Sequence, residues 1–214
     1  MNHAAIDSVL SKCQRLLRIA LPGLLLVPGS VWAQPTKDGS SLSVGGIVSI
    51  QPADEKANAG PCLDGALGGT VLGLVASVET VLPSGLTLAI EGSTTLALTG
   101  EQTGRLVDPE PQTARHRDTL LSFLPGFRHQ LGRRWIVYKA GASLVIGQSK
   151  RGDTMMTGTA GRWAVTGGAD WLVAFRPQFA VVSTVRYSYL RRGDFNYNLG
   201  LGHHVLRAGI GLEF

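Results

Sequence analysis

The residues that most constrain the fold of this chain are 205–214, where apolar residues alternate strictly with polar or small ones. Side chains at successive positions of an extended chain point to opposite faces, so this period of two predicts a β-strand with one apolar face. The apolar face holds Leu206, Ala208, Ile210, Leu212 and Phe214. The opposite face holds only valine, glycine and the charged Arg207 and Glu213. Such a strand separates an apolar environment from a polar one.

The same alternation recurs through the chain and predicts eight strands, separated alternately by short turns and long loops. The predicted strands cover about 41–51, 69–81, 86–98, 116–128, 134–148, 161–175, 179–190 and 205–214. The short turns are 82–85, 129–133 and 176–178, and the longer loops are 52–67, 99–115, 149–160 and 191–204. No apolar run approaches the roughly 20 residues of a transmembrane helix. We therefore predict an all-β fold, an eight-stranded antiparallel up-and-down transmembrane barrel.

Composition and the placement of aromatic residues agree with a barrel that faces lipid. The chain has 28 glycines and 16% charged residues, and small inward side chains leave room for larger neighbours. Aromatic residues cluster near both strand ends, as in the interfacial girdles of membrane barrels. The loop-end aromatics are Trp163, Tyr187 and Tyr189, and the turn-end aromatics are Phe127, Trp171, Phe175, Phe179 and Phe214.

The N-terminal region has the pattern of a cleavable export signal. Basic residues at 12, 15 and 18 precede the apolar stretch 19–27, which is too short to span a membrane. Val31 and Ala33 stand at the −3 and −1 positions of a predicted cleavage site. We therefore predict a signal peptide at 1–33, a periplasmic linker at 34–40 and the barrel at 41–214.

The last strand, closed by Phe214, resembles the C-terminal assembly signal of bacterial outer-membrane barrels, with Leu212 and Phe214 at the positions of that signal. The whole predicted barrel resembles the small OmpA, OmpX and opacity-protein superfamily. The resemblance implies export to the outer membrane of a Gram-negative envelope and insertion by the barrel assembly machinery. It also implies a role in envelope integrity, adhesion or surface interaction. We predict a monomer.

Alternation places a balanced set of charges on the inward face. They are Glu79, Glu91, Arg128, Lys139, Asp170, Arg186, Arg207 and Glu213. Charges in a narrow lumen are costly unless they are paired, and an eight-stranded barrel is just wide enough for side chains to fill it. We therefore predict an internal network that packs the lumen, and not a wide porin-like channel. The predicted function is non-enzymatic: structural, in envelope integrity, or in surface interaction.

Other functions remain open at this point. Lipid A deacylases are also eight-stranded barrels, but this chain has Arg186-Tyr187-Ser188 where that family has His-x-Ser, so the base is missing. A narrow channel, an adhesin using the Arg-Gly-Asp tripeptides at 151–153 and 192–194, and a soluble lipocalin-like carrier are further alternatives. No zinc-ligand spacing, P-loop or Gly-x-Ser-x-Gly motif occurs, so no catalytic, cofactor or metal residues and no nucleic-acid partner are predicted.

Two of the predicted loops are basic. Lys150, Arg151, Arg191 and Arg192 carry the charge. Phosphate groups attract such side chains, so the predicted partners are outer-membrane lipid and lipopolysaccharide.

Overall fold

The computed structural model describes residues 39–53, 63–64, 67–104, 111–132, 134–151, 158–176, 179–190 and 202–214. All of them fall within one compact unit, Ala33–Phe214. The predicted signal peptide and residues 34–38 of the predicted linker lie outside the described residues, so that division of the chain stays a prediction. Among the described residues, no helix is long and apolar enough to cross a membrane.

Ten β-strands run through the described residues, and every pairing between them is antiparallel. The strands are β1 (Gly39–Gln51), β2 (Leu63–Asp64), β3 (Gly69–Val81), β4 (Leu86–Thr95), β5 (Leu98–Gly104), β6 (Pro111–Leu131), β7 (Arg134–Arg151), β8 (Gly158–Arg176), β9 (Phe179–Leu190) and β10 (His204–Glu213). The bounds of β3 and β9 are those predicted from the sequence.

Eight of these strands close into a barrel. The order is β6-β4-β3-β1-β10-β9-β8-β7, and pairing of β6 with β7 completes the ring. The seam between the first and last strands runs from Ser43 opposite Glu213 to Ile50 opposite Leu206. Closure satisfies the backbone hydrogen bonds of every ring strand without an open edge. The predicted fold class, an eight-stranded antiparallel barrel, is confirmed.

One predicted loop is wrong in part: residues 99–115 were expected to be irregular, but 98–104 and 111–115 are strand. β4 and β5 are two parts of one wall, because both pair with β6. Three residues, 95–97, lie opposite only two residues of β6, so a bulge-like break separates the two parts. β2 pairs with the end of β5. The prediction failed because this extension carries polar residues on its outer face, so it lacks the apolar alternation used to find strands.

The alternation predicted from the sequence describes the wall correctly. Outward apolar side chains are exposed: the exposed fraction is 65% for Leu74 and 58% for Ile90. The inward Ala89 is fully buried. Val173 is the exception, since it is only 9% exposed beside the register shift between Ala174 and Arg176. A surface with this much exposed apolar area is suited to lipid and not to water.

The aromatic residues predicted for the two girdles all lie on the outer surface. Tyr187 and Tyr189 stand at the end of β9 that leads to the long loop, where their rings contact His204. At the opposite end, Phe214 packs edge-on against Phe179, with ring centroids 5.3 Å apart. The backbone of Phe214 also exchanges two hydrogen bonds with Leu42 of β1. The two ends of the apolar band are therefore marked as the sequence predicted.

Two glycines meet on the inner face of the seam. Gly45 of β1 lies opposite Gly211 of β10. A Cβ atom on Gly45 would stand only 2.5 Å from the carbonyl oxygen of Ile210, so a larger residue would collide with the backbone of the neighbouring strand. At the level of this pair the seam contributes no side-chain volume to the lumen.

Candidate functional site in the barrel interior

Two basic side chains from neighbouring parts of the wall hold three carboxylates inside the barrel. Lys139 of β7 contacts Glu79 of β3, and its Nζ lies 2.8 Å from Oδ2 of Asp170 on β8. Arg186 of β9 donates from Nη2 to Oδ2 of Asp170 at 2.9 Å and to Oε2 of Glu91 at 3.0 Å. All five residues are less than 10% exposed. Each of these charges therefore has an opposite charge within contact distance, as burial demands.

Asp170 links the two halves of this ionic layer, which we define as Glu79, Glu91, Lys139, Asp170 and Arg186. Its Oδ1 lies 2.7 Å from Nη1 of Arg186, an ion-pair contact outside hydrogen-bond geometry, while Oδ2 meets both cations. In the ring order, β4 and β9 stand four strands apart in either direction. The bridge from Glu91 to Arg186 therefore crosses the full diameter of the barrel.

A chain of hydroxyl groups lies next to the ionic layer, on the side of the long loops. Ser122, Ser143, Thr166 and Ser188 follow one another around β6 to β9 at oxygen–oxygen distances of 2.7, 2.6 and 2.8 Å. Arg207 of β10 ends this chain by donating from Nη2 to Ser188 at 2.6 Å. It also donates from Nη1 to Ser93 of β4 at 2.7 Å. An arginine can only donate, so Ser188 accepts from Arg207 and can donate its own proton to Thr166. The remaining hydroxyls can donate in the same direction along the chain.

Apolar side chains line part of the lumen on both sides of these polar layers. One cluster stands two residues further towards the long-loop end of the strands that hold the hydroxyl chain and Arg207, and a second stands towards the short-turn end. The first holds Leu120, Val145, Ala164, Leu190 and Val205, and the second holds Val137, Leu172 and Val182 with Trp135 packed against them. The polar layers thus lie between two partial apolar layers, and an apolar surrounding strengthens their electrostatic interactions.

The predicted inward charges do not all join one network. Arg128 places its guanidinium 4.7 Å from the ring centroid of Trp135, and its Nε and Nη2 have no hydrogen-bond partner among the described residues. Glu213 lies on the inward face of β10 near the same end, outside the ionic layer. Arg207 is held by hydroxyl groups instead of a carboxylate. The ionic layer itself therefore contains five of the residues that alternation placed inside.

One inward hydrogen-bonded pair was missed in the sequence. His116 Nε2 lies 2.9 Å from Oδ1 of Asp118, and both side chains are buried near the long-loop end of the barrel. The signal was present, because the alternation that places Arg128 of β6 inside also places residues 116 and 118 inside. The pair lines a cavity of about 10 Å³, and a second cavity of about 20 Å³ lies between the ionic layer and the seam. Each is comparable to the space of a single water molecule.

Ser188, which stands where the lipid A deacylases have the serine of their His-x-Ser pair, is fully buried in the lumen. Its hydroxyl accepts from Arg207 and contacts Thr166. His204 faces outward and meets the hydroxyl of Tyr187, and His203 contacts the carbonyl of Leu190. Among the described residues, Ser188 has only Thr166 and Arg207 as hydrogen-bond partners and no base, and its hydroxyl faces the lumen, away from the outer surface. Within the described residues, no group of three or more potential ligand side chains is placed to hold a metal ion.

The basic residues predicted to meet lipopolysaccharide fall mostly outside the described parts of the chain. Lys150 is exposed on the outer face of β7. Arg151 is the last residue of that strand, and 191–192, like most of both Arg-Gly-Asp tripeptides, lie outside the described residues. Their role stays a prediction.

No protein-family model and no curated protein sequence matches the chain. Solved structures do match it. The attachment invasion locus protein Ail of Yersinia pestis, solved with the heparin analogue sucrose octasulfate, is 12% identical with a TM-score of 0.53, covering 83% of this chain and 99% of that one. The outer membrane protein OprG of Pseudomonas aeruginosa is 12% identical with a TM-score of 0.54, covering 85% and 99%. Neisserial surface protein A is 12% identical with a TM-score of 0.52, covering 82% and 96%. The chain therefore has the fold of the eight-stranded outer-membrane barrels, as the resemblance in its sequence implied.

Proposed function

We propose that this chain, which has the outer-membrane barrel fold, is a non-enzymatic, monomeric structural protein of the bacterial outer membrane that holds its loops at the cell surface. The observation that carries the proposal is the filled lumen. The bridge between Glu91 and Arg186 spans the diameter, and apolar layers lie above and below it. Two interior cavities beside the network each have the volume of about one water molecule. A solute has no room to pass or to react there.

The outer wall supports the proposed location. Exposed leucine, isoleucine and aromatic side chains form an apolar band with girdles at both ends, which is the surface that a bilayer requires. We place lipopolysaccharide around the extracellular end, with Lys150, Arg151, Arg191 and Arg192 as contacts. Two of the similar structures are an attachment protein and a surface protein, and a surface role of that general kind is compatible with a solid barrel.

The filled lumen predicts that the purified barrel does not conduct. Single-channel recording in planar bilayers is expected to show no stable conductance steps, because the cross-lumen bridges and apolar layers leave no continuous aqueous path. A wide sixteen-stranded porin reconstituted in the same way is the positive control. Regular conductance steps from the folded barrel would contradict the proposal and favour the narrow-channel alternative.

A second measurement separates the structural function from lipid modification. We expect the mass spectrum of lipid A to be the same in cells with and without the protein, because Ser188 lacks a base and is buried. We also expect cells without the protein to become more sensitive to detergent, and the wild-type chain to restore resistance. A change in the acyl composition of lipid A would instead support the enzyme alternative.

Biogenesis gives another prediction, at Phe214. We propose that Leu212 and Phe214 are recognised by the barrel assembly machinery, and Phe214 also packs on Phe179 beside the seam. Phe214→Ser removes this aromatic anchor and is expected to lower the inserted fraction several-fold, measured by heat-modifiable migration of outer-membrane fractions. Phe123→Ser, an equally exposed phenylalanine away from the seam, is the matched control. Equal losses in the two variants would show that residue 214 acts only through apolar area.

A further inference from the structure

Three basic side chains stand together on the outer wall where β6 and β7 rise above the apolar band. Arg115 lies directly opposite Lys150 in the register of these strands, and Arg117 follows two residues below on the same face. All three are exposed, whereas the flanking residues Ala114 and His116 are buried inside. Like charges directly opposite one another on a sheet are destabilising unless an anion lies between them. We call Arg115, Arg117 and Lys150 the basic wall cluster.

The described residues provide no internal counterion for this cluster. No ion pair of Arg115, Arg117 or Lys150 is found within the described ranges. Glu101 of β5 has a carboxylate on the same outer face. It stands opposite Thr113 in the register and not opposite a residue of the cluster. The three positive charges thus face outward together.

Arg117 is held in place by the break between β4 and β5. Its Nε donates to the carbonyl oxygen of Thr95 at 3.0 Å. Thr95 is the last residue of β4, at the bulge-like break, and bulges are known to redirect neighbouring side chains. The bond fixes one side of the guanidinium. The two terminal nitrogens make no hydrogen bond with the described residues. An arginine oriented in this way is suited to bind a tetrahedral oxyanion with two donors.

The height of the cluster matches the level of lipid phosphates. Phe127, in the turn-end girdle, lies on the same face of β6, ten residues from Arg117. At about 3.3 Å per residue and a tilt near 40°, this separation is roughly 25 Å, the height of the apolar band of such barrels. Arg115 and Lys150 then lie about 5 Å above its border. Directly below, Leu121 and Trp163 expose large apolar surfaces for acyl chains.

From this geometry we propose that the basic wall cluster binds a phosphate group of a lipid A-type glycolipid in the outer leaflet. The proposal rests on the outer-membrane location proposed above and extends the predicted contact at Lys150 to Arg115 and Arg117. The occupant has a phosphate at the membrane border and several acyl chains beneath it. It therefore matches the charges above and the apolar wall below.

The test uses the folded mature barrel in detergent, titrated with diphosphorylated lipid A and observed by native mass spectrometry. The triple variant Arg115→Gln, Arg117→Gln, Lys150→Gln is expected to bind about 100-fold more weakly, and Lys150→Gln alone about fivefold more weakly, since each cation near an anionic lipid surface contributes a similar increment. Arg134→Gln, which removes a cation at the turn end, is the matched control and should bind as the wild type does. Heat-modifiable migration verifies folding of each variant.

Two further arms identify the ligand. Lipid A without phosphates should bind the wild type weakly and should not distinguish the triple variant from it. Inorganic phosphate at millimolar concentration should not displace the lipid. Wild-type affinity of the triple variant, an equal loss with dephosphorylated lipid A, or displacement by inorganic phosphate would each overturn the proposal. None of these outcomes depends on whether the lumen conducts, so failure here is distinct from failure of the proposed function.

Discussion

Replacing Arg186 by methionine is expected to lower the free energy of unfolding by about 3–5 kcal/mol, the cost of removing one partner from a buried ion pair. Lys139 would still neutralise Asp170, but Glu91 would keep a buried charge with its direct partner removed. Reversible urea unfolding in lipid vesicles measures the loss. The size of the effect follows from the position of Glu91, which is 4% exposed.

A double-mutant cycle identifies the cause of that loss. Glu91→Gln alone is also expected to be costly, whereas Glu91→Gln combined with Arg186→Met removes both charges and should recover part of the stability. The coupling energy should reach about 1–3 kcal/mol, as for residues in direct contact within one network. Lys139→Met paired with Glu91→Gln is the comparison, because these residues are linked only through Asp170 and Arg186. Simple additivity of Glu91 and Arg186 would show that the bridge does not carry the energy assigned to it.

Ile90→Arg is expected to destabilise the folded barrel by about 2–4 kcal/mol, the cost of an arginine facing lipid near the bilayer midplane. Ile90 lies on the outer face of β4, between Val78 and Phe123 on the neighbouring strands. Its side chain is 58% exposed, so in the membrane it contacts acyl chains instead of protein. Unfolding in vesicles with denaturant again gives the free energy.

Leu96→Arg is the matched control for this substitution. Leu96 is also exposed, at 59%, but it lies at the extracellular end of the same wall, in the break between β4 and β5. There the cost of arginine falls to about 0–1 kcal/mol, because the side chain reaches the headgroups. Equal effects at the two positions would mean that depth in the bilayer does not decide the cost, and that the outer wall is not the lipid-facing surface.

The sequence was sufficient to predict the wall of the barrel, because the alternation that identifies each strand is a local pattern. Alternation in segments such as 69–81 and 179–190 gave the strand bounds and the facing of nearly every residue, and closure followed from the number of strands. The same rule identified Glu79, Lys139 and Asp170 as inward before their partners were known. It did not identify the extension at 98–104 and 111–115, where polar residues on the outer face hide the period.

Which inward charges meet could not be predicted, because partners are decided by the stagger between strands and not by alternation. Glu91 and Arg186 are 95 residues apart and lie on opposite walls, and only the register of all eight strands brings them to one level. Arg207 is the instructive case: as an inward cation it was expected to share the charge network, yet its stagger places it among Ser93 and Ser188. The apolar layers were not predicted, although the same alternation places Leu120, Val145 and Val205 on the inward face.

The glycine-lined seam has a consequence for the order in which the barrel is assembled. The ionic layer is built entirely by β3, β4, β7, β8 and β9, so it needs no side chain from the seam strands. β1 and β10 pair over eight residues, fewer than the sixteen between β6 and β7, and glycines meet where they face the layer. Closure can therefore follow the formation of the ionic layer, after which Arg207 of β10 reaches Ser93 and Ser188. By the same reasoning, the seam is the joint at which the finished barrel parts first.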